Sequence, residues 1–562
     1  MQLTLDIETT RAKDHIWCCG VQSEVDMTQR ILVNSMQLDQ RIKNMTTIVG
    51  HNIISFDAPK IKELWHVDIP SVKLRDTLLL SRLYHPRLLG GHSLAAWGDR
   101  LGYPKLDFDD YDGGLTDDMK KYCKVDVEIT HKLEPHLTKL LQDEGFSDYS
   151  IELEHRTAVI LAQQERNGFK LDLARARGLL TELMGRMNEI ERTVQQVFPP
   201  LVEERISEKT GKRLKDKVTV FNLGSRKQIA ERLQEKGVVF KDKTEKGSII
   251  VNEKTLKGID LPEAKLILEY LTLQKRVSQV DSWINVVEDD GRVHGTVITN
   301  GAVSGRMTHS GPNMAQITAA KKDKETKQLL WGKDCMYGTD LRACWIVDEG
   351  NKLVGIDASG LELRMLAHYM NSKPYTKQIL EGDIHTYNMK MAGLKERDQA
   401  KTFIYALIYG GGVAKIGEIA GGSPRKGKQL IDQFMRNLPA FAKLKDKVLT
   451  TMRKHGTIKG LDGRRLRVES EHSALNFLLQ SAGAVVMKQA LVILDQLLKE
   501  NNIWYKFVAN VHDEWQIETT SEHADLVGKL GVQAIIEAGE YFKMNCPLNG
   551  EYNIGNNWAE TH

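Results

Sequence analysis

The chain has 562 residues, 41% of them hydrophobic and 27% charged, with a formal net charge of +3. That length is too great for one ordinary core and implies several domains, and the balance of apolar and charged residues excludes a disordered or fibrous chain. No run approaches the roughly 18 consecutive apolar residues of a membrane span, and no basic region followed by an apolar segment marks a signal peptide.

The first 145 residues read as mixed α/β, with strand patterns at 2–7 and 47–50. The clearest helix is LTDDMKKYCKVDVEITHKLEPHLTKLL, with Thr116 as N-cap and Asp117 and Asp118 in a first turn where the helix dipole favours acids. A long amphipathic helix is predicted from 150 to about 200, ended by Pro199-Pro200, then a basic loop, then helices to about 290. A Gly-rich strand and turn region spans 291–313, and the last 210 or so residues alternate apolar strands (KLVGIDA, YKFVANV) with long helices. Basic stretches at 208–217, 320–327 and 460–467 together favour a polyanionic partner, although each alone reads as a solvated loop. The six cysteines, Cys18, Cys19, Cys123, Cys335, Cys344 and Cys546, contain no C-x-x-C pair, which implies reduced thiols and a cytosolic setting. DFDDYDGG (107–114) lacks the sixth-position glycine and final glutamate of a calcium loop and reads as an acidic surface turn.

In LTLDIETT (3–10) strand alternation turns Asp6 and Glu8 to one face and Leu5 and Ile7 to the other. Such a pair is either solvated or faces a cation. Asp57, in VGHNIISFDAPKI, and the helical pair Tyr122 and Asp126, in YCKVDVEIT, add acids and a phenol that can aim into one site. Four carboxylates suit hard ions such as Mg²⁺ or Mn²⁺, and two such ions about 3.5–4 Å apart can clamp a phosphoryl transfer.

A second constellation lies towards the C-terminus. Asp357 ends an apolar strand, and His512-Asp513 sits at the turn of a predicted hairpin that can bring Asp513 beside Asp357. In RDQAKTFIYALIYGGG, Arg397, Lys401, Tyr405 and Tyr409 recur every four residues, each stepping about 40° around a helix. This is either a salt-bridging surface face or a triphosphate held by two cations with a base against Tyr405.

These motifs carry a resemblance. D-x-E, H-N…F-D and Y-x-x-x-D resemble the three motifs of proofreading 3′–5′ exonucleases. GIDASGLELR, RDQAKTFIYALIYG and VHDE resemble motifs A, B and C of the family A DNA polymerases, most fully the replicative enzymes of podovirus-type phages. HRTAVILAQQERNGFKLD, NGAVSGRMTHSGPNMAQI, GDIHT, GLDGRRLRV, ALNFLLQSAGA and NWAETH extend the match across nearly the whole chain. The resemblance implies an α/β multidomain fold, an RNase H-like exonuclease domain (1–145) followed by a right-hand polymerase. Its parts would be connecting helices and thumb (146–300), palm (301–375), fingers (376–450) and the rest of the palm (451–562). It implies two Mg²⁺ per active site, with Mn²⁺ as substitute, held by Asp6, Glu8, Asp57 and Asp126 in one site and by Asp357, Asp513 and the Ala358 carbonyl in the other. Tyr122 would orient the attacking water and Glu514 would be an auxiliary acid. Arg397, Lys401 and His385 would bind the triphosphate, Tyr405 and Tyr409 would line the nucleotide pocket, and Glu362 would exclude a ribose 2′-hydroxyl. Arg306, Asn313, Gln316, Gln480 and His512 would touch the primer-template. Tyrosine at 405 implies ready use of dideoxynucleotides.

Implied partners are primer-template DNA, dNTPs, a phage helicase-primase and a single-stranded-DNA-binding protein, with no membrane, in the cytoplasm of an infected bacterium. The helix ending at Phe198 reaches VTVFNLGSRKQIAERL across a short basic stretch, so the large thumb insertion that captures thioredoxin is expected to be absent, and thioredoxin is not expected as a partner. No 5′-nuclease domain is expected before the first strand. The segment 320–336 departs from the pattern and reads as a fingers-side insertion. Two rivals are a single-subunit RNA polymerase-like enzyme, against which Glu362 and the nuclease motifs argue, and a non-catalytic DNA-binding scaffold, which should have lost the carboxylates that are all present.

Overall fold

The structure is a computed structural model and describes residues 1–24, 28–240, 242–244 and 246–562. The N-terminal unit is built on a mixed sheet of five strands, β1 (Gln2–Thr9), β2 (Ile16–Ser23), β3 (Gln29–Leu32), β4 (Thr47–Gly50) and β5 (Leu74–Asp76), in the order β3-β2-β1-β4-β5. β1 is parallel to β4 and antiparallel to β2. Helix α1 (Asp57–Trp65) follows β4, and α2 (Asp117–Asp143) packs across β1 and β2. The Thr116 side chain caps α2 by accepting from the Met119 amide, as its sequence predicts. Because α2 covers the second face of the sheet, β1 is buried on both sides: Leu3, Leu5 and Ile7 enter one core while Thr4 and Glu8 are sealed beneath the helix.

The predicted long helix from 150 to 200 is in fact two. α3 (Asp148–Asn167) stops at Gly168, whose φ of +60° turns the chain into a short strand, β6 (Phe169–Leu171), before α4 (Leu173–Val197). A residue with a Cβ there would be strained and would also meet His294 and Arg292. α3 serves three cores at once: Ile151 packs beneath α2, Ala158 and Ala162 join the sheet core, and Leu153, Ile160 and Leu161 join the main C-terminal core. The predicted basic loop is a hairpin, β7 (Leu201–Ile206) and β8 (Arg213–Thr219), which stands out from the molecule with Val202, Ile206 and Val218 exposed. α5 (Pro262–Ile284) then packs along α4. The segment 320–336 lies against these two helices: Arg175 stacks over Trp331, and the Arg276 guanidinium donates to the Met336 carbonyl.

β9 (Thr296–Ile298) and β10 (Thr308–Ser310) form the Gly-rich hairpin. The C-terminal sheet joins β11 (Asn351–Ala358), β12 (Tyr505–Val511), β13 (Glu514–Thr520) and β14 (Gly550–Gly555), all antiparallel, in the order β12-β13-β11-β14. Helices α6 (Leu361–Met370), α7 (Ile384–Ala392), α8 (Arg397–Ile408) and α9 (Ala474–Glu500) join the same hydrophobic core, and α10 (Ala524–Tyr541) packs on this sheet. β12 and β13 are buried on both faces, not half-exposed as alternation suggests, because α10 and α3 cover them. Among the described residues one helix, α9, is long and apolar enough to cross a membrane, but it runs through the main core and is mostly buried. Truncating a leucine such as Leu491 there to alanine costs about 2–5 kcal/mol in lost transfer energy and cavity.

Candidate active sites

The N-terminal carboxylates meet at one edge of α2. β1 supplies Asp6 and Glu8, and Asp57, the first residue of α1, accepts from the Ile7 amide at 3.1 Å. Asp126 lies one helical turn beyond Tyr122 on α2, and both are buried. Confinement of four acids has the electrostatic consequence Coulomb's law demands. Burial first, then mutual repulsion, lifts Asp6 well above its ordinary value, Glu8 to about 9 and Asp57 to about 7, and burial raises Asp126. Glu8 Oε1 and Asp126 Oδ1 are buried without a hydrogen-bond partner. Buried acceptors in that condition fit a cation.

The internal counter-charge has no local signal in the chain. Lys105 donates to Asp126 Oδ2 at 2.5 Å and sits 4.6 Å from the centre of the Tyr122 ring. The acidic turn 107–114 closes over the same corner: Phe108 packs on Tyr122, the Tyr111 and Tyr122 hydroxyls are 3.2 Å apart, and Asp109 and Asp112 accept from Arg11.

At the second site, β12 and β13 are joined by the two-residue turn His512-Asp513, with His512 at φ +59°. A two-residue hairpin favours such left-handed conformations. β11 pairs with β13 so that Asp357 stands opposite Glu514, and the Ala358 amide donates to the Asp513 carbonyl at 3.0 Å. Asp357 is raised to about 7 by burial and then by Asp513, Glu514 and Glu551, and Asp513 is raised chiefly by burial.

The pair opens into a cavity of about 390 Å³ whose walls include Arg306, Glu362, Tyr405 and Tyr409. The Tyr409 hydroxyl reaches both Glu362 oxygens, at 2.8 and 2.7 Å, Arg306 pairs with Glu362 at 3.4 Å, and the Tyr405 and Tyr409 rings are 6.3 Å apart. Ala358 and His512 line the same cavity. Arg397, Lys401 and His385 lie outside its walls as a group of their own, the two cations lowering the His385 pKa after burial does. Arg397 is paired with Asp383, the N-cap of α7, at 2.6 Å. Asn313 and Gln316 are exposed on the turn after β10, and Gln480 is half-buried on α9.

Glu514 is differently disposed. Trp558 at 2.5 Å, Gln516 at 2.7 Å and His562 at 2.9 Å all donate to it, and with Arg342 they hold its carboxyl down at about 2 despite its burial. It is anchored to the C-terminal segment. Beneath the cavity a second feature has no local sequence signal: the fully buried Lys488 donates to Glu154 at 2.5 Å and to the Gly305 carbonyl at 2.9 Å, and Arg464 joins Glu154 at 2.7 Å.

Residues 194–560 match the model of the family described as DNA polymerase family A. The chain is 33% identical to the DNA-directed DNA polymerases of Enterobacteria phage T3 and Escherichia phage T7, in each case over 93% of this chain and 94% of the relative. It is 27% identical to DNA polymerase I of Aquifex aeolicus over 99% of this chain and 96% of that one. Its fold matches a solved structure described as the POL domain of Pol1 from M. smegmatis in complex with DNA primer-template and dNTP. The TM-score is 0.81 and the identity 19%, with 99% of this chain and 95% of that one covered. One acid pair, Asp357 and Asp513, facing a tyrosine-walled cavity agrees with these likenesses, and the chain belongs to DNA polymerase family A, the metal-dependent DNA-directed DNA polymerases.

Proposed function

We propose that the chain extends a primer 3′ end on a DNA template at the Asp357–Asp513 cavity and removes nucleotides from that end at the Asp6–Asp126 cluster. The observation that carries the two-site reading is the presence of two separate sets of crowded carboxylates with raised pKa values, on different sheets. Residues 1–145 then form the exonuclease domain, and the mixed sheet in the order β3-β2-β1-β4-β5 supports an RNase H-like assignment. The helices of 146–300 form the connection and thumb, 301–375 and 451–562 the palm, and 376–450 the fingers.

Both donor sets suit Mg²⁺, being hard carboxylate oxygens with orphaned or mutually repelling acceptors. Asp357, Asp513 and the Ala358 carbonyl would hold two ions in one site, and Asp6, Glu8, Asp57 and Asp126 would hold two in the other. Ions bound there would supply Lewis acidity to the attacking oxygen and charge neutralisation to the transferring phosphoryl group and the leaving group. The chain's own groups do the positioning. Arg397, Lys401 and His385 grip the triphosphate, which requires Arg397 to leave Asp383. Tyr405 and Tyr409 wall the base and sugar, and Glu362, fixed by Tyr409 and Arg306, fills the space a ribose 2′-hydroxyl would need. Arg306, Asn313, Gln316, Gln480 and His512 track the primer-template. In the other site Tyr122 orients the water attacking the terminal phosphodiester. Glu514 acts by holding the C-terminal segment behind Asp357.

Primer-template DNA and dNTPs are thus the substrates, bound largely through phosphates, so affinity falls steeply with salt. A helicase-primase and a single-stranded-DNA-binding protein are the partners such an enzyme needs inside an infected bacterium. Thioredoxin is not expected among them, a reading supported by the short hairpin, Leu201–Ile206 with Arg213–Thr219, that follows α4. A large thioredoxin-dependent gain in product length under a DNA trap would refute this.

The deciding experiment is a labelled primer on a longer template with Mg²⁺. Extension with dNTPs and shortening without them support both sites. Extension with rNTPs at a similar rate would favour the RNA polymerase reading, and shortening alone would remove the polymerase assignment of Asp357 and Asp513.

A further inference from the structure

One donor at the N-terminal cluster is left over by the chemistry above: the sulfur of Cys123. α2 lays this residue across the sheet, with Sγ 3.7 Å from the Asp6 carbonyl oxygen and over Gly20, where a Cβ would come within 2.7 Å of it. The sulfur and one carboxylate oxygen from each of Asp6 and Glu8 lie within 4.8 Å of one another. Cys123 is fully buried, and Glu8, 4% exposed, has Oε1 without a partner. Cys18 stands directly across the ladder from Glu8.

We propose that Asp6, Glu8 and Cys123 form a site for a thiophilic divalent cation, Zn²⁺ or Cd²⁺, that overlaps the Mg²⁺ position and blocks it. The blocking half rests on the reading of Asp6 and Glu8 as exonuclease ligands; the binding half does not. A hard ion takes oxygen ligands and leaves the sulfur aside, whereas Zn²⁺ accepts thiolate at about 2.3 Å and carboxylate at about 2.0–2.2 Å. Those bond lengths put tetrahedral donors about 3.5 Å apart, which small side-chain rotations reach from the separations present. As the sulfur–metal bond forms, the thiol proton passes to solvent. Among the described residues the polymerase cavity has no thiol in its walls, so the same ion has no comparable hold there.

The test is a Cd²⁺ titration of the full chain, read by the ultraviolet thiolate-to-cadmium charge-transfer band, beside Zn²⁺ inhibition of single-strand degradation and of primer extension. The wild type should give a band saturating at one ion per chain, and Cys123→Ser should lose it. Asp6→Asn should weaken it by about tenfold or more, and Zn²⁺ should stop degradation at concentrations that spare extension. A wild type without the band, a band that survives Cys123→Ser, or Cd²⁺ affinity unchanged by Asp6→Asn would overturn the proposal. Should Cys123→Ser melt early, Cys123→Ala supplies the same comparison. A band behaving as expected in a protein that never degrades DNA with Mg²⁺ would retain the metal site and reject the exonuclease reading instead.

Discussion

The two carboxylate clusters crowd like charges by different routes. Asp6, Glu8, Asp57 and Asp126 come from a strand, a helix start and a helix interior, and they contain a cation of their own, Lys105, bound to Asp126. Asp357 comes from a strand and Asp513 from the hairpin turn beside it, and the arginine near them, Arg306, is paired with Glu362. The first arrangement is partly neutralised before any metal arrives. The second keeps its nearest arginine on Glu362, from where it only partly offsets the charge of Asp513, beside a cavity of about 390 Å³. Crowded acids are therefore a common device here, while the distribution of counter-charge separates the proposed cleavage site from the synthesis site.

The comparison breaks most sharply on single substitutions. Asp357→Asn should lower primer extension by ~10³-fold or more and leave degradation intact, and Asp6→Ala should do the reverse, since a metal ion supplies several kcal/mol to each reaction. Loss of both activities in either folded variant would show the sites are not independent. Next in size is Lys488→Met. Its side chain is fully buried, so removal strips Glu154 of one partner and should cost about 3–5 kcal/mol in urea unfolding. Tyr405→Phe should raise discrimination against dideoxynucleotides by about tenfold, the worth of one hydrogen bond, as read from competing dNTP and ddNTP incorporation.

The pH dependence is subtler. Asp57 and Asp357 are raised to about 7 and Glu8 to about 9, so without metal these groups favour the fold when protonated. Their contribution is complete below the ordinary carboxylate range near pH 4 and is lost as pH rises through 7 to 9. Mg²⁺ should therefore raise the melting temperature more at pH 8 than at pH 5.5, and an equal rise at both would contradict the assignment. Lys105→Met should be the mildest change. The Lys105 side chain keeps 25% exposure, so stability should move by within about 1 kcal/mol while the Mg²⁺ needed for degradation falls, because the ion no longer competes with an ammonium.

Much of both sites can be read from local pattern. Asp6 and Glu8 follow from strand alternation, Tyr122 and Asp126 from helical spacing behind a capping threonine, and Asp513 from a two-residue turn. These features depend on neighbours within a few residues. What escapes such reading depends on partners far along the chain. Lys105 meets Asp126 only because a loop folds back over α2, and Lys488, Glu154 and Arg464 meet only in the packed core. Glu514 looks like part of a catalytic trio by its position in VHDE, yet Trp558 and His562 claim its lone pairs. The helix break at Gly168 is hidden for another reason: the apolar periodicity resumes with α4, and one glycine is a weak signal against a long run of good helix formers.

Helix α3 carries a consequence for how the two proposed activities share one DNA end. It is packed into both units, with Ala158 and Ala162 in the sheet core and Leu153, Ile160 and Leu161 in the main core, and the ion pairs of Glu154 pin it beneath the cavity. His155, the next residue, accepts from the Asp76 amide at the end of β5. A beam riveted to both banks cannot swing. If both proposed sites act on one DNA end, packing of α3 sets the separation between them, and a frayed primer strand would cover it chiefly by its own motion.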